Sequence, residues 1–276
     1  MERSNEGSGR CGVPIRIERV SKTFGETSDQ PFQALQEIDI AIEAGEFLSV
    51  VGPSGCGKST LMLMVAGLLE RSSGSIAIGG APVHKPITDV GIAFQDHLLL
   101  EFRTALDNVT LHADIRGLPK AQVEARAKEL FTQLRLAAAM GKYPRQLSGG
   151  MRQRVSLIRT LVHDPSLLLM DEPFGALDAL TRLQVRTDLE ALWLRRRPTV
   201  LFITHSVEEA VGLSDRILVM GPSPGAIVDE IHVELPRPRP IMLGDVQQFS
   251  HYVDRIHRQF ERLGVLHSAE SGAERR

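Results

Sequence analysis

A chain of 276 residues in which 42% of the side chains are apolar and 24% are charged can form one large packed domain or two small ones. The formal net charge of −2 argues against a protein that binds nucleic acid through bulk electrostatics, so we expect no nucleic-acid partner. Two cysteines, Cys11 and Cys56, make no disulfide framework, which fits a reducing compartment. No apolar run approaches the roughly 18 residues of a membrane span, and the N-terminus has no hydrophobic signal core. We therefore expect an unexported chain that reaches a membrane only through a partner.

The predicted strands follow a polar stretch, residues 1–13, which we expect to be disordered. Alternating apolar residues predict strands at 15–20 and 38–42, and a continuous apolar run predicts a buried strand near 47–51. Further strands are predicted at 75–78, 90–94, 166–170, 199–203, 216–220 and 226–233.

The predicted helices alternate with these strands. They span residues 60–66, 120–134, about 150–163, a run that begins near 179, and 207–213. In the helix that begins near 179 we expect the leucines at 180, 183, 189 and 192 to face inward. Alternating strands and helices between 46 and 220, with a helical insert at about 96–163, predict an α/β fold with a parallel sheet.

The strongest motif is a glycine-rich loop between the strand near 47–51 and the helix that follows it. Glycines allow backbone N–H groups to converge on phosphate oxygens, and the helix N-terminus adds partial positive charge. Lys58 would add a full charge, and the Ser59 hydroxyl can bind Mg²⁺. A chance turn is the weaker interpretation, and a dinucleotide fingerprint would need Gly or Ala at position 60, where Thr60 stands. The predicted phosphate-binding residues are Gly52, Pro53, Ser54, Gly55, Cys56, Gly57, Lys58, Ser59 and Thr60.

Polar residues end three of the predicted buried strands. Asp171 is a candidate ligand for Mg²⁺, and Glu172 can orient and polarise an attacking water. Gln95 could contact Mg²⁺ or that water, and His205 could donate to a γ-phosphate. Such residues are usually caps or solvated groups when they occur alone. Their position at strand ends beside a phosphate loop favours phosphoryl transfer.

These motifs, taken in order, resemble the ATPase subunits of ABC transporters over about residues 14–235. GPSGCGKST resembles the Walker A motif, LLLMDEP the Walker B motif with its glutamate, and LSGGMRQR the signature motif. GALD resembles the D-loop, Gln95 the Q-loop and His205 the H-loop. The resemblance implies a P-loop NTPase (RecA-like) core with an antiparallel β subdomain and a helical subdomain, and it implies ATP and Mg²⁺ as cofactors.

The resemblance also implies a head-to-tail homodimer that closes on two ATP molecules. Ser148, Gly149 and Gly150 would then bind the γ-phosphate held by the partner, and Asp178 would reach across the interface. Phe24 matches the aromatic residue that stacks on adenine.

The wider sequence resembles the ATPases of nitrate, sulfonate and taurine importers, which implies integral membrane permease partners and, indirectly, a solute-binding protein. The expected location is then the cytoplasmic side of the cell (inner) membrane, peripheral through the permease. Glu101-Phe102 replaces a Pro-Trp pair that is common in relatives, near the groove that receives the permease, so it suggests a partner-specific contact or neutral drift. An exporter subunit, a non-transport ABC ATPase and a small-molecule kinase are the alternatives, although a kinase would not explain the LSGG run.

The remaining residues, 236–276, lie outside this resemblance. We expect a stiff proline-rich linker, then an amphipathic helix that Asp245 begins and Gly264 ends, then a disordered end. Its apolar stripe comprises Val246, Phe249, Val253, Ile256, Phe260 and Leu263. We expect the helix to pack on its own domain, and the alternative is that paired tails contact each other in a dimer.

Overall fold

The computed structural model describes residues 12–27, 30–239 and 246–266. The central sheet has six strands in the order β10-β9-β3-β8-β7-β6. Its strands are β3 (Phe47–Val51), β6 (Gly91–Ala93), β7 (Leu167–Asp171), β8 (Thr199–Thr204), β9 (Arg216–Met220) and β10 (Ile227–His232). All pairs are parallel except β9 with β10. Every residue of β3, β7 and β8 is buried, as expected for parallel strands covered on both faces.

A second, antiparallel sheet has the order β2-β1-β4-β5. Its strands are β1 (Ile15–Phe24), β2 (Phe32–Ile42), β4 (Ser73–Ile78) and β5 (Ala81–Pro82). β1 continues beyond the predicted end at residue 20, because it pairs with β2 as far as Phe24 and Phe32. The two sheets and the helix α1 (Lys58–Val65) share one apolar core. The predicted antiparallel β subdomain is therefore present.

The helical insert has a core of its own. It contains α2 (Ala105–Arg116), α3 (Lys120–Gln133) and the first part of α4 (Gly149–Leu161), whose apolar side chains form a separate cluster. The sequence predicts a helical insert here but no separate helix at 105–116, because that segment has no clear apolar stripe. Thr104 caps α2 by accepting from the Asp107 N–H, and the buried Asn108 side chain bonds the preceding loop. Polar contacts therefore fix this helix.

The inward face of α5 (Ala179–Arg196) differs from the prediction. Leu180 is 81% exposed, since the first turn of α5 projects beyond the core. Leu183 and Leu192 are only partly buried. The side chains that are buried from this helix include Val185, Leu189 and Trp193.

The C-terminal part of the chain packs on the domain. α6 (Val207–Leu213) and α7 (Val246–Arg262) share a cluster that includes Phe249, Ile256 and Phe260, as predicted for a helix that packs on its own domain. The described part of the predicted proline-rich linker packs on the domain, because Arg239 is 4% exposed and donates to the carbonyls of Val211 and Ser214.

The predicted tails lie largely outside the described residues, as do Asp245 and the side chain of Val246. Residue Val13, which was placed in the disordered tail, is part of the fold, because its carbonyl accepts from Thr199 Oγ1 at 2.6 Å. Across the described ranges, no helix combines the length and apolar character that a bilayer span requires.

Candidate active site

Three adjacent parallel strands bring the predicted site residues to one edge of the sheet. Val51 at the end of β3 pairs in register with Thr204 at the end of β8, and Asp171 at the end of β7 pairs with Ile203. The loop after β3, the pair Asp171-Glu172 and the residue His205 therefore leave the sheet side by side. Ligands of open α/β sheets bind outside the carboxyl ends of the strands, which makes this edge the candidate site.

The phosphate loop is shaped by glycines in the left-handed backbone region, with φ +78° at Gly55 and +98° at Gly57. A Cβ atom at Gly57 would lie 2.6 Å from Leu35 Cδ2, so a larger residue does not fit without displacement of its neighbours. Gly57 is also the N-cap of α1 and has no side chain with which to occupy the first N–H groups of the helix. These donors and the positive end of the helix are suited to an anion.

Lys58 lies inside this loop. Its ammonium group is 2.8 Å from the carbonyl oxygens of Gly52 and Pro53 and 3.7 Å from Cys56 Sγ, and the side chain is only 6% exposed. Burial raises the pKa of the Cys56 thiol, although the Lys58 charge opposes this shift. Cys56 is therefore a buried thiol that shapes the loop, with its side chain directed away from solvent.

Asp171 lies at the floor of the site beside Ser59. The Asp171 side chain is buried and interacts with the Ser59 side chain. Burial raises the pKa of this carboxyl and the Glu172 charge adds to the shift, whereas the interaction with Ser59 and the charge of Lys58 lower it. A buried carboxylate next to a hydroxyl is an oxygen donor set of the kind that Mg²⁺ prefers.

Glu172 and His205 form a direct pair, with Oε2 of Glu172 at 3.0 Å from Nδ1 of His205. Glu172 has φ +45°, a conformation that is strained for a residue with a side chain, and its N–H donates to the Ile203 carbonyl at 2.8 Å. This backbone turn aims the carboxylate away from the strand and towards the site. The Glu172 side chain is 17% exposed and that of His205 is 58% exposed, so both can meet a ligand.

A cavity of about 310 Å³ opens between the phosphate loop and the antiparallel sheet. This is within the roughly 300–1,000 Å³ of small-molecule sites. Its lining residues are Phe24, Phe32, Ala34, Ser54, Gly55, Gly57, Lys58, Ser59, Thr60, Gln95 and Glu172.

Phe32 was missed by the sequence analysis. It is 54% exposed, pairs across the hairpin with Phe24, and lines the same cavity. An exposed aromatic residue at the start of the strand that pairs with Phe24 was a usable signal, but it required the hairpin register. That register includes irregularities and could not be derived from spacing alone.

The signature and D-loop residues are not brought into this cavity. Ser148, Gly149, Gly150 and Asp178 are absent from its lining among the described residues. Ser148 caps α4, where its hydroxyl accepts from the Met151 N–H, and Asp178 caps α5 by accepting from the Thr181 N–H. Both helix N-termini are thus well formed, but they lie outside the phosphate-loop cavity of the same chain.

Comparison with known proteins agrees with this geometry. The family model described as "ABC transporter" matches residues 35–175. An uncharacterized ABC transporter ATP-binding protein of Methanocaldococcus jannaschii is 42% identical over 241 residues, which is 87% of this chain and 90% of that protein. The aliphatic sulfonates import ATP-binding protein SsuB 2 of Pseudomonas fluorescens is 44% identical over 228 residues, covering 83% and 80%. SsuB of Bacillus cereus is 39% identical over 257 residues, covering 93% and 100%.

Among solved structures, the fold is similar to the dimeric, post-hydrolysis ATP-binding cassette MJ0796 bound to ADP and Pi. The TM-score is 0.72 at 28% identity, and the match covers 80% of this chain and all of that one. The ordered motifs, the two-sheet fold with its helical insert and these relatives agree. The chain belongs to the family of ABC transporter ATP-binding subunits and is an ATPase coupled to transport.

Proposed function

We propose that the chain energises the import of a small solute, such as a sulfonate, with Glu172 and His205 acting at the γ-phosphate of ATP. The observation that carries the proposal is the 3.0 Å contact between these two side chains, at the strand ends next to the phosphate loop. A carboxylate and an imidazole that already touch can share the work of positioning a water and a phosphoryl group.

ATP binds with its phosphates on the loop and its base on the antiparallel sheet. Lys58 and the backbone N–H groups of residues 54–60 bind the β- and γ-phosphates. Phe24 and Phe32 present aromatic surface to the same cavity, where a base can stack. The combination of a cationic phosphate loop and aromatic surface in one cavity supports a nucleoside triphosphate as the ligand.

Hydrolysis then uses Glu172 as the group that takes the proton from water. The water oxygen forms a bond to the γ-phosphorus as the bond from that phosphorus to the ADP oxygen breaks. Because Nδ1 of His205 faces Glu172, its Nε2 is the atom that remains to contact the phosphate. Negative charge on the transferred phosphoryl group meets Lys58 and the helix N-terminus.

The donor set supports a magnesium site formed by Ser59, Asp171 and Gln95. Ser59 interacts with Asp171, and Ser59 and Gln95 line the same cavity, so three oxygen donors lie close to the phosphate loop. When bound, Mg²⁺ would neutralise charge on the β- and γ-phosphates. Substitution Asp171→Asn should weaken the magnesium dependence of ATP binding, as measured by titration with and without the metal.

A second copy of the chain completes the site. The similar MJ0796 cassette is dimeric, and here Ser148–Gly150 and Asp178 are at helix N-termini outside the cavity. We expect these groups to close over the ATP held by the partner. The hydrolysis rate per subunit should therefore fall on dilution into the monomer range, and a rate that stays constant there would contradict the dimer.

The partners proposed for transport are integral membrane permease subunits and, through them, a solute-binding protein. Relatives at 39–44% identity are named for import of aliphatic sulfonates, which supports a sulfonate or a related small solute such as taurine or nitrate. As a subunit of such an importer, the chain would lie on the cytoplasmic side of the membrane, attached through the permease. Co-purification with a permease, followed by ATP-dependent uptake of labelled sulfonate into proteoliposomes, tests the assignment. ATP-dependent efflux would instead indicate an exporter.

The central experiment is Glu172→Gln. The amide keeps the size of the side chain but cannot accept the proton, so we expect hydrolysis to fall by roughly 10²–10⁴ with ATP affinity retained. Glu208→Gln is a matched control, because Glu208 is an exposed acid in the first turn of α6. Near-normal turnover in Glu172→Gln would overturn the assignment.

A further inference from the structure

A buried carboxylate connects the two loops that carry the site. Glu209 is in the first turn of α6 and is 7% exposed. Its Oε2 atom accepts from Thr204 Oγ1 at 2.6 Å, and its Oε1 atom lies 3.7 Å from Nε of Arg182 in α5. One side chain therefore contacts the end of β8 and the helix that follows Asp178.

The contact with Thr204 holds the backbone on both sides of His205. Thr204 Oγ1 donates to Glu209 and also accepts from the Ser206 N–H at 3.0 Å. Ser206 Oγ in turn accepts from the Glu209 N–H at 3.2 Å. Because residues 204 and 206 are both bound, the peptide units that flank His205 have little freedom, and the imidazole is held in contact with Glu172.

The contact with Arg182 reaches the loop between Glu172 and Asp178. The Nη2 atom of Arg182 donates to the Leu177 carbonyl at 3.1 Å, one residue before Asp178. The same loop is closed by N–H bonds from Gly175 to the Glu172 carbonyl and from Leu177 to the Phe174 carbonyl. Arg182 therefore helps to hold the loop that starts at Glu172.

Helix capping does not account for this carboxylate. Ser206 already provides the side-chain cap of α6, and Glu208 supplies an exposed acid in the same turn. Burial raises the pKa of Glu209, whereas the Thr204 bond and the charges of Arg182, His205 and Arg186 oppose that shift. A carboxylate in such a site is costly to bury without polar partners, and here Oε2 is hydrogen-bonded to Thr204 while Oε1 has a longer ion-pair contact with Arg182.

We propose that Glu209 is a positioning residue for ATP hydrolysis, tying the strand end at His205 to the loop that follows Glu172 through Thr204 and Arg182. The inference rests on the proposed roles of Glu172 and His205. Glu209 contacts neither the phosphate-loop cavity nor the reacting atoms, so it acts through the placement of these two side chains. Glu209 thereby connects the end of β8, which precedes His205, with the loop that follows β7 and begins at Glu172.

The test compares ATP turnover by the full chain as a dimer at saturating ATP. For Glu209→Gln we expect kcat to fall roughly tenfold to a hundredfold with KM for ATP within about twofold, since small displacements of reacting groups have such effects. Thr204→Val should behave similarly, and Thr204→Ser should recover most of the rate because it keeps the hydroxyl. Glu208→Gln, with the same charge change in the same turn, should remain within about twofold of the parent.

A double-mutant cycle separates positioning from a loss of stability. In a His205→Ala background, Glu209→Gln should lower kcat by a clearly smaller factor than in the parent, because one of the two side chains that it positions is already gone. Multiplicative losses, or losses that track the melting temperature across Thr204→Val, Thr204→Ser and Glu209→Gln, would overturn the proposal. If Glu172→Gln and His205→Ala also turn over normally, the proposed function fails. If only Glu209→Gln and Thr204→Val turn over normally, the positioning role alone fails.

Discussion

Substitution of Glu190 would measure how much its buried contacts with the C-terminal segment contribute to the free energy of unfolding. The Glu190 side chain is 2% exposed on α5, and Oε1 lies 2.7 Å from Nη1 of Arg237. Oε2 accepts from the Arg239 N–H at 2.8 Å. Substitution Glu190→Ala would remove both contacts and leave the Arg237 guanidinium buried against the face of Trp193, 4.5 Å from the ring centroid.

The expected loss of unfolding free energy depends on which partners Arg237 keeps after the substitution. Removing one partner of a buried ion pair typically costs about 3–5 kcal/mol, because the other charge stays desolvated. Arg237 keeps Asp215 at 2.9 Å as a second carboxylate, so we expect a loss near the lower end, about 3 kcal/mol. Glu190→Gln keeps an acceptor but not the charge, and we expect about half that loss.

The assay is the free energy of unfolding from urea titration of the full chain. Glu129→Ala is the matched control. Glu129 also forms an ion pair at 2.7 Å, with Arg126, but the Glu129 side chain is 48% exposed. Exposed pairs contribute about 0–1 kcal/mol. Equal losses for Glu190→Ala and Glu129→Ala would refute the reasoning, since they would mean that burial of the pair does not decide its contribution.

Three further predictions concern the site, the partner surface and pH. Gly57→Ala should lower ATP affinity at least tenfold in isothermal titration, since a Cβ there meets Leu35 and the backbone has φ +98°; unchanged affinity would show that the loop tolerates a side chain. Phe102 is 75% exposed, and we expect it to contact the permease. Phe102→Ala should leave the ATPase rate of the isolated subunit within about twofold but weaken permease co-purification by roughly tenfold or more. Intact co-purification would favour neutral drift at this position. Burial lowers the pKa of His112 from 6.5 to about 4, and the neighbouring charges of His163, Arg159 and Arg116 add to the shift. The unfolded imidazole therefore takes up a proton first, so the unfolding free energy should fall as pH drops through about 6.5 towards 4. After allowance for partial exposure, about 1–2 kcal/mol of that fall should disappear in His112→Gln; an unchanged pH profile would contradict the assignment.

The sequence by itself determined the phosphate loop, the strand-end carboxylates and the family. These features can be recognised from neighbouring residues alone. They consist of glycines at fixed spacing, a lysine and a hydroxyl before a helix, and carboxylates directly after an apolar strand. The same locality explains why most strands of the parallel sheet were predicted, since continuous apolar runs indicate strands buried on both faces.

Only the tertiary structure decided which distant residues meet. The 3.0 Å contact of Glu172 with His205 depends on β7 and β8 being neighbours, and the pairing of Phe24 with Phe32 depends on an irregular hairpin register. The outward position of Leu180 and the burial of Arg239 likewise depend on where the core ends and what covers it. Residue spacing reveals the period of a helix or strand but not which element packs against it. For this reason Glu209 has no recognisable signal in the sequence, and its role can be inferred only from its contacts with Thr204 and Arg182.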